Sequence, residues 1–288
     1  MNKLETSDEQ VNSIIDLALA EDTSHGDITS EIVIPSDLTG KASILAKEEG
    51  VLAGGDVVRL VFLRVEPKLE VEVLIPDGKR VKPGDVVVTI TGSVASILRA
   101  ERVALNFLSH LSGVASETAR YVSQIQGCTA VITDTRKTSP GLRFLEKYAV
   151  RIGGGQNHRL HLGDGILIKD NHITALRELG MSLKDIVTRA KQNAPKNVKI
   201  EIEVNTVPEA LEAAQARADI IMLDNMSPDD MKRVVERVPE QVKLEASGGI
   251  GLDNVRTVAG TGVHFISVGA ITHSAKALDF SLELEPPK

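Results

Sequence analysis

The sequence predicts an α/β protein whose second half forms a closed or nearly closed β/α barrel. After Gly127, short apolar runs alternate with amphipathic helical segments, and this alternation indicates a parallel sheet with crossover helices. The apolar runs fall at 130–133, 165–168, 198–204, 219–223, 242–246 and 264–268. A doubly wound open sheet would give the same periodicity, so the pattern favours the barrel and leaves the open sheet as the alternative.

The N-terminal part follows a different pattern, typical of antiparallel hairpins. Ser7 and Gln10 form a capping-box pattern ahead of a helix that is predicted to end near Asp22. Strand-like runs follow at 41–47, 69–75 and 86–91. Turns rich in proline, glycine and aspartate separate these strands. A long helix over 96–126, with a break or bend near Gly113, then leads into the second half.

Amphipathic segments in the second half supply the crossover helices of the barrel. Their apolar residues recur at the three- and four-residue spacing of a helix that packs one face on a sheet. The segments lie at 175–193, 207–217, 228–237 and 252–259.

Composition excludes several classes of protein. Of the 288 residues, 42% are hydrophobic and 25% charged, which is ordinary for a globular chain with a sizeable core. A net charge of −7 and seven aromatic residues without tryptophan argue against a nucleic-acid partner. The single cysteine, Cys128, excludes an intramolecular disulfide, and no apolar run approaches the roughly 18 residues of a membrane span. We expect a cytoplasmic protein without nucleic-acid or membrane partners.

Polar or glycine residues follow each predicted barrel strand at its carboxyl end or lie within it. The active sites of β/α barrels lie at this end of the strands, and charged groups on apolar strands are costly to bury without partners. Six such placements in succession therefore predict a functional site. The placements are 134–138, 169–172, 201 with 203, 224–225, 247–249 and 269–270.

Cations are concentrated in one segment of the chain. Between Asp134 and His172 there are seven lysines and arginines against four acids, a net charge of +3 that leaves −10 for the remainder. Residues 143, 147 and 151 lie on a predicted helix and could equally form a solvated surface. Arg136, Lys137, Arg159 and Lys169 flank strands or glycine-rich turns, and guanidinium and ammonium groups bind carboxylates and phosphates. The cluster predicts a small polyanionic ligand.

Glycines and carboxylates complete the predicted site. Loops with glycine after the last barrel strands, as at 247–249 and 269–270, are common phosphate sites. Glu201 and Glu203 lie on one face of a strand, and Asp224 ends the next one. Such acids can hold Mg²⁺ together with substrate phosphates, or they can form ion pairs with Lys169 or Arg136. His158 and His161 have no third ligand at a suggestive spacing, so the sequence does not predict a zinc site.

Several motifs occur together and in order, and they resemble the quinolinate phosphoribosyltransferase family. The resemblance extends over essentially the whole chain, from 26–29 and 101–106 to 268–274. Its central motifs are 133–138, 153–159, 167–172, 223–225 and 245–250.

This resemblance implies an incomplete β/α barrel with an N-terminal α/β sandwich domain. The sandwich would comprise residues 1–112, completed by 274–288, and the barrel would comprise 113–273. The implied reaction joins quinolinate and phosphoribosyl pyrophosphate, with Mg²⁺ as cofactor, to give nicotinate mononucleotide, pyrophosphate and CO₂. The implied assembly is a homodimer or a multiple of dimers.

The resemblance also implies roles for individual residues. Arg136, His158, Arg159 and Lys169 would bind quinolinate, and Thr135 would also bind substrate. Lys137 would be a catalytic residue that lies between quinolinate and the phosphoribosyl donor. Glu203 and Asp224 would be catalytic acids near the ribose that also hold the metal, directly or indirectly. Arg102 would reach the site from the neighbouring subunit. The 5′-phosphate would be bound by Ser247, Gly248, Gly249, Gly269 and His273.

Two other functions remain as alternatives at this stage. A barrel aldolase or decarboxylase would form a Schiff base on Lys137 or Lys169. A non-enzymatic anion-binding protein would use the same cations without chemistry, although the set of Arg136, Lys137, Glu203 and Asp224 favours an enzyme.

Overall fold

The computed structural model describes residue 4 and residues 9–285, and the predicted capping residue Ser7 lies outside this range. The chain divides into two compact units. The first unit comprises 1–119, 138–154 and 271–288, and the second comprises 120–137 and 155–270. This division differs from the predicted boundaries because residues 113–119, 138–154 and 271–273 group with the first unit. Within the described residues, no helix is long and apolar enough to cross a membrane.

The first unit is built around an antiparallel sheet. Its strands are β1 (Thr39–Ala46), β2 (Gly50–Val51), β3 (Glu70–Val73), β4 (Arg80–Val81), β5 (Val86–Ser93) and β12 (Phe280–Leu284). Its helices are α1 (Glu9–Thr23), α2 (Ile28–Val33), α3 (Gly55–Val65), α4 (Val94–Gln124), which continues into the second unit, and α5 (Arg143–Ile152). The main sheet has the order β12-β1-β5-β3, and β2 pairs with β4. The C-terminal residues thus return to the first unit, where Ile44 of β1 lies opposite Leu282 of β12.

Of the break or bend predicted near Gly113, the break is wrong. The helix α4 runs without interruption from Val94 to Gln124. Gly113 is instead needed because the C-terminal segment crosses the helix closely: a Cβ at this position would lie 2.3 Å from the Lys276 carbonyl oxygen. Sequence alone cannot separate a glycine that bends a helix from one that admits a neighbouring backbone.

The second unit is an incomplete β/α barrel. Its strands are β6 (Val131–Thr133), β7 (Ile166–Ile168), β8 (Ile200–Val204), β9 (Ile220–Asp224), β10 (Lys243–Ser247) and β11 (Phe265–Ser267). Its helices are α6 (Asp170–Arg177), α7 (Leu183–Asn193), α8 (Val207–Gln215), α9 (Pro228–Val235), α10 (Val255–Ala259) and α11 (Ala270–His273), the last of which crosses into the first unit. All strand pairs are parallel, in the order β6-β11-β10-β9-β8-β7.

The barrel is open between β6 and β7, the two edge strands of the sheet. Gln156 partly covers the β6 edge, because its backbone N–H donates to Ile132 and its carbonyl accepts from Asp134. This pairing brings the loop after residue 155 against the barrel interior, which positions the cations of that loop.

The predicted strands agree with the observed ones to within about two residues. One predicted helix is wrong: residues 175–193 form two helices, α6 and α7, rather than one. Gly180 separates them with a φ of 79°, a left-handed conformation that ends a helix. Ser182 then caps α7 by accepting a hydrogen bond from the Asp185 N–H.

Candidate active site

The carboxyl ends of the barrel strands surround a cavity of about 600 Å³. Strand register explains its lining: Asp224 of β9 lies opposite Ser247 of β10, and Glu203 of β8 opposite Met222 of β9. Because neighbouring strands in register point the same side chains inwards, these residues converge on the cavity. Most of the predicted site residues line it, namely Thr135, Arg136, Lys137, His158, Arg159, Lys169, Glu203, Asp224, Ser247, Gly248 and Gly249.

A fully buried carboxylate, Asp134, fixes the loops that carry the cations. It accepts a hydrogen bond from the Asn157 side-chain amide at 2.6 Å and another from the His158 backbone N–H at 2.8 Å. The next residue, Thr135, accepts from the Lys137 N–H at 3.0 Å and shapes the turn after β6. A buried carboxylate that accepts two N–H groups is a strong local tether. Asp134 therefore joins the end of β6 to the loop that contains Arg159.

Two guanidinium groups lie close together in this cavity. The pKa of Arg159 is lowered, first by burial and then by the positive charge of Arg136. Arg159 is held in place by a hydrogen bond from its Nη1 to the Gly165 carbonyl at 3.0 Å. Like charges held near each other in a desolvated cavity create a site that an anion stabilises. A planar dicarboxylate matches two such forks.

Two carboxylates face the same cavity from neighbouring strands. The pKa of Glu203 is raised, chiefly by burial and then by the charge of Asp224. Asp224 is half-buried at the end of β9, and its Oδ2 accepts a hydrogen bond from the Asn225 side chain at 2.8 Å. Paired carboxylates whose mutual repulsion raises a pKa are suited to a hard divalent cation or to a developing positive charge.

The turn after β10 brings backbone groups to the cavity. Gly248 has a φ of 86° and Gly249 a φ of 60°, both in the left-handed region that favours glycine. A Cβ on Gly248 would lie 2.4 Å from Oδ1 of Asn225, so a larger residue does not fit there. A tight glycine turn of this kind exposes backbone N–H groups to an anion.

His158, which lines the cavity, contacts two buried acids. Its Nε2 lies 3.1 Å from Oε2 of Glu201 and 3.6 Å from Oε2 of Glu245. Burial, and then the charge of Glu201, raises the pKa of Glu245 to about 7. The three groups are close enough to hold a metal ion. However, Nδ1 of His158 accepts a hydrogen bond from the Arg159 N–H at 2.8 Å, so Nε2 carries the ring hydrogen and donates to the acids.

Three predicted residues do not line this cavity. Arg102 is exposed on α4 and lines a separate cavity of about 330 Å³ in the first unit, with Glu21 and Asp22 of α1. Gly269 follows β11, and His273 lies in the first unit, where its Nδ1 is 2.6 Å from the Ser274 hydroxyl.

Sequence reasoning assigned no role to Glu245 and Ser267, which line the cavity. It included Asp170, Asn171 and Asn225 only as members of the predicted placements 169–172 and 224–225, without individual roles. A signal existed for Glu245, which is a charged residue inside an apolar strand and shares its face with Ser247. For Asn225 the sequence indicated the position at the end of a strand, but nothing in it shows the φ of 52°.

Comparison with known proteins identifies related chains over nearly the full length. The family profile described as quinolinate phosphoribosyl transferase, N-terminal domain, matches residues 27–112, and the profile of its C-terminal domain matches 114–283. A probable nicotinate-nucleotide pyrophosphorylase (carboxylating) of Bacillus subtilis is 40% identical over 96% of this chain and 93% of its own. A chloroplastic nicotinate-nucleotide pyrophosphorylase (carboxylating) of Arabidopsis thaliana is 41% identical over 96% of this chain and 83% of its own.

A solved structure shows the same fold. The nicotinate-nucleotide pyrophosphorylase of Francisella tularensis superimposes with a TM-score of 0.92 and 39% identity, covering 99% of this chain and 98% of the other.

Proposed function

The chain belongs to the quinolinate phosphoribosyltransferase family, and we propose that it transfers the phosphoribosyl group of phosphoribosyl pyrophosphate to quinolinate with loss of CO₂. The products are nicotinate mononucleotide, pyrophosphate and CO₂, in NAD biosynthesis. The main support for this proposal is that a single cavity is lined both by a pair of arginines, which suits a dicarboxylate, and by a pair of acids, which suits a ribosyl cation. Membership of this family sets aside the Schiff-base enzyme and the non-enzymatic anion-binding protein.

Quinolinate is held by the cations in this proposal. Arg136 and Arg159 bind its two carboxylates as forks, with Lys169 and the Thr135 hydroxyl at the edge of the ring and His158 at its side. The repulsion that lowers the pKa of Arg159 is relieved when the dianion enters between the two guanidinium groups. Lys137 lies between this ring and the pyrophosphate of the donor.

The acids act on the ribose in this proposal. As the C1–O bond to pyrophosphate breaks, positive charge develops on the ribose, and Glu203 and Asp224 stabilise it. The quinolinate ring nitrogen then attacks C1, which makes a pyridinium. This ring accepts the electron pair of the adjacent C–C bond when the carboxylate leaves as CO₂, and a proton takes its place on the carbon. Positioning in the enclosed cavity, rather than a protein nucleophile, is the source of catalysis.

The residues present fit a magnesium ion. Glu203 and Asp224 offer hard carboxylate oxygens, and the effect of Asp224 on the pKa of Glu203 places their charges close together. We propose that they hold Mg²⁺, directly or indirectly. The bound ion supplies a positive charge that neutralises the departing pyrophosphate. Ser247, Gly248 and Gly249 bind the 5′-phosphate, with Gly269 and His273 as further proposed ligands.

The reaction is tested by measuring CO₂ release from quinolinate carrying labelled carboxyl groups. Release that requires both phosphoribosyl pyrophosphate and Mg²⁺ is the expected result. Release without the donor would mean a simple decarboxylase, and no release with all three components would contradict the proposal.

A homodimer, or a multiple of dimers, with a shared active site accounts for Arg102 in this proposal. The helices α1 and α2 expose Leu17, Ile28, Ile32 and Val33 at 66–78% of their surface. Large apolar side chains at such exposure are typical of an interface with another chain. Glu31 of α2 contacts Arg99 at 3.3 Å, and Arg102 lies one turn further on the same face of α4. A second subunit that covers the apolar residues would therefore also meet Arg102.

Mixing two inactive variants tests whether the site is shared. Arg102→Ala and Glu203→Gln are each expected to lack activity. After subunit exchange, half of the dimers are hybrids with one intact site of two, so about a quarter of the wild-type activity is expected to return. Unmixed variants serve as controls, and mass spectrometry verifies the hybrids. Hybrids without activity would show that Arg102 acts within its own subunit, and an active Arg102→Ala variant before mixing would show that it has no role in the site.

We propose a cytoplasmic location and no nucleic-acid or membrane partner. A single cysteine and the acidic net charge support this proposal.

A further inference from the structure

Asn225 has an unusual conformation at the end of β9. Its φ is 52°, and only two other non-glycine residues in the described part of the chain, Asn197 and Arg217, share a positive φ. A left-handed residue directly after a strand turns the chain sharply. The turn keeps the Asn225 backbone N–H bonded to the Ser247 carbonyl at 2.9 Å, which extends the pairing of β9 with β10 by one residue.

The side chain of Asn225 returns to the preceding residue. Its Nδ2 donates to Oδ2 of Asp224 at 2.8 Å, and the Asn205 side chain donates to the Asp224 carbonyl at 3.2 Å. A hydrogen bond to an ionised acceptor is about twice as strong as one between neutral groups. The amide therefore fixes one oxygen of Asp224 and opposes the repulsion between Asp224 and Glu203.

The other end of the amide meets the glycine turn. The position that a Cβ of Gly248 would occupy is 2.4 Å from Oδ1 of Asn225 and 2.8 Å from its backbone nitrogen. Gly248 and Asn225 thus pack against each other without an intervening side chain. Asn225 touches both the acid proposed to act on the ribose and the turn proposed to bind the 5′-phosphate.

We infer that Asn225 is a positioning residue, which holds the Asp224 carboxylate at a fixed place relative to the Ser247–Gly248–Gly249 turn. In the proposed function the Asp224 carboxylate acts at C1 of the phosphoribosyl group, and the turn binds the 5′-phosphate at its other end. The distance between the carboxylate and the turn therefore sets how well C1 is aligned with Asp224. This inference rests on the proposed function.

Asn225→Gly is the most direct test, because glycine adopts the left-handed backbone without strain and removes only the amide. We expect kcat to fall about 10- to 100-fold, the range for a hydrogen bond to a charged group. The KM for quinolinate and the midpoint of thermal unfolding should stay near wild type. In Asn225→Asp the side chain has nearly the same size and the residue can still adopt the left-handed backbone. The amide donor is replaced by a negative charge next to Asp224, so kcat should fall further.

Asn197→Gly is the matched control. Asn197 also has a left-handed φ of 68°, but it is exposed and lies before β8, away from the cavity lining. Its activity should equal that of wild type.

Calorimetric titration with phosphoribosyl pyrophosphate should give Kd values for Asn225→Gly within a few-fold of wild type, because the effect is on alignment rather than on binding.

The results distinguish a failure of the positioning role of Asn225 from a failure of the proposed function. If wild type turns over and both Asn225→Gly and Asn225→Asp retain full kcat, Asn225 serves only the backbone turn and the positioning role is overturned. A fall in kcat together with a lower midpoint of thermal unfolding would also overturn it, because a general loss of stability would then explain the loss of activity. If wild type makes no nicotinate mononucleotide, the proposed function fails first, and the inference fails with it.

Discussion

The Glu245→Gln variant is expected to be more stable than wild type at pH 8, by as much as about 3 kcal/mol. Glu245 is 2% exposed, and burial raises its pKa to about 7. In the unfolded chain the same carboxyl titrates near 4.5. Between these two values the folded protein binds more protons than the unfolded chain, so wild-type stability falls as pH rises through this window and is level above it.

Glutamine removes this dependence because it has nearly the same shape and cannot ionise. The two proteins should have similar unfolding free energies near pH 5 and should diverge up to pH 8, as measured by denaturant titration. Glu240→Gln, at an exposed glutamate just before β10, should show no divergence. Parallel curves for wild type and Glu245→Gln would show that the Glu245 carboxyl is not held neutral in the folded state.

Arg136→Ala is expected to weaken quinolinate binding by about 2–5 kcal/mol, roughly 30- to 5,000-fold in Kd. The alanine variant leaves one carboxylate of the dianion in a desolvated cavity without its fork. Arg159, whose pKa is lowered by burial and then by the charge of Arg136, is left as the only guanidinium of the pair that binds the ligand. Calorimetric titration with quinolinate measures the change, and the affinity for phosphoribosyl pyrophosphate should change much less.

Arg136→Lys is the control for charge. Lysine keeps the positive charge but loses the planar pair of donors, so the variant should fall between wild type and Arg136→Ala. Unchanged quinolinate affinity in Arg136→Ala would remove this residue from the substrate site.

Periodicity was sufficient to predict the strands of the barrel but not the ends of every helix. Apolar runs bounded by turns identify buried strands because their side chains must leave water on both faces of a parallel sheet. Gly180 and Gly113 show the limit of that reasoning. Gly180 ends a helix in a left-handed conformation, whereas Gly113 lies inside a helix at the point where the Lys276 backbone crosses it. The sequence shows neither the conformation nor the crossing.

The candidate site was predictable where one local rule sufficed. Residues at the carboxyl ends of parallel strands meet, so Lys169, Asp224 and Ser247 could be brought together from their positions in the chain. The contact between His158 and Glu201 could not, because it depends on a loop that pairs with the open edge of β6. Arg102 lies in the first unit, so its role came only from family resemblance.

Net charge illustrates the same limit. A net charge of −7 argues against anionic ligands, yet cations are concentrated in the segment from Asp134 to His172, which supplies much of the cavity lining. A concave cluster of cations focuses the potential locally, whatever the sign of the outer surface. The argument against long nucleic acids is unaffected, because those need an extended basic face.

Formation of nicotinate mononucleotide, measured side by side with quinolinate and with nicotinate as acceptor, tests the central claim most directly. Phosphoribosyl pyrophosphate and Mg²⁺ are present in both reactions. A cavity built around two arginine forks should accept the dicarboxylate, release one CO₂ for each nucleotide formed, and leave nicotinate unused. Nucleotide formed from nicotinate but not from quinolinate would contradict the account.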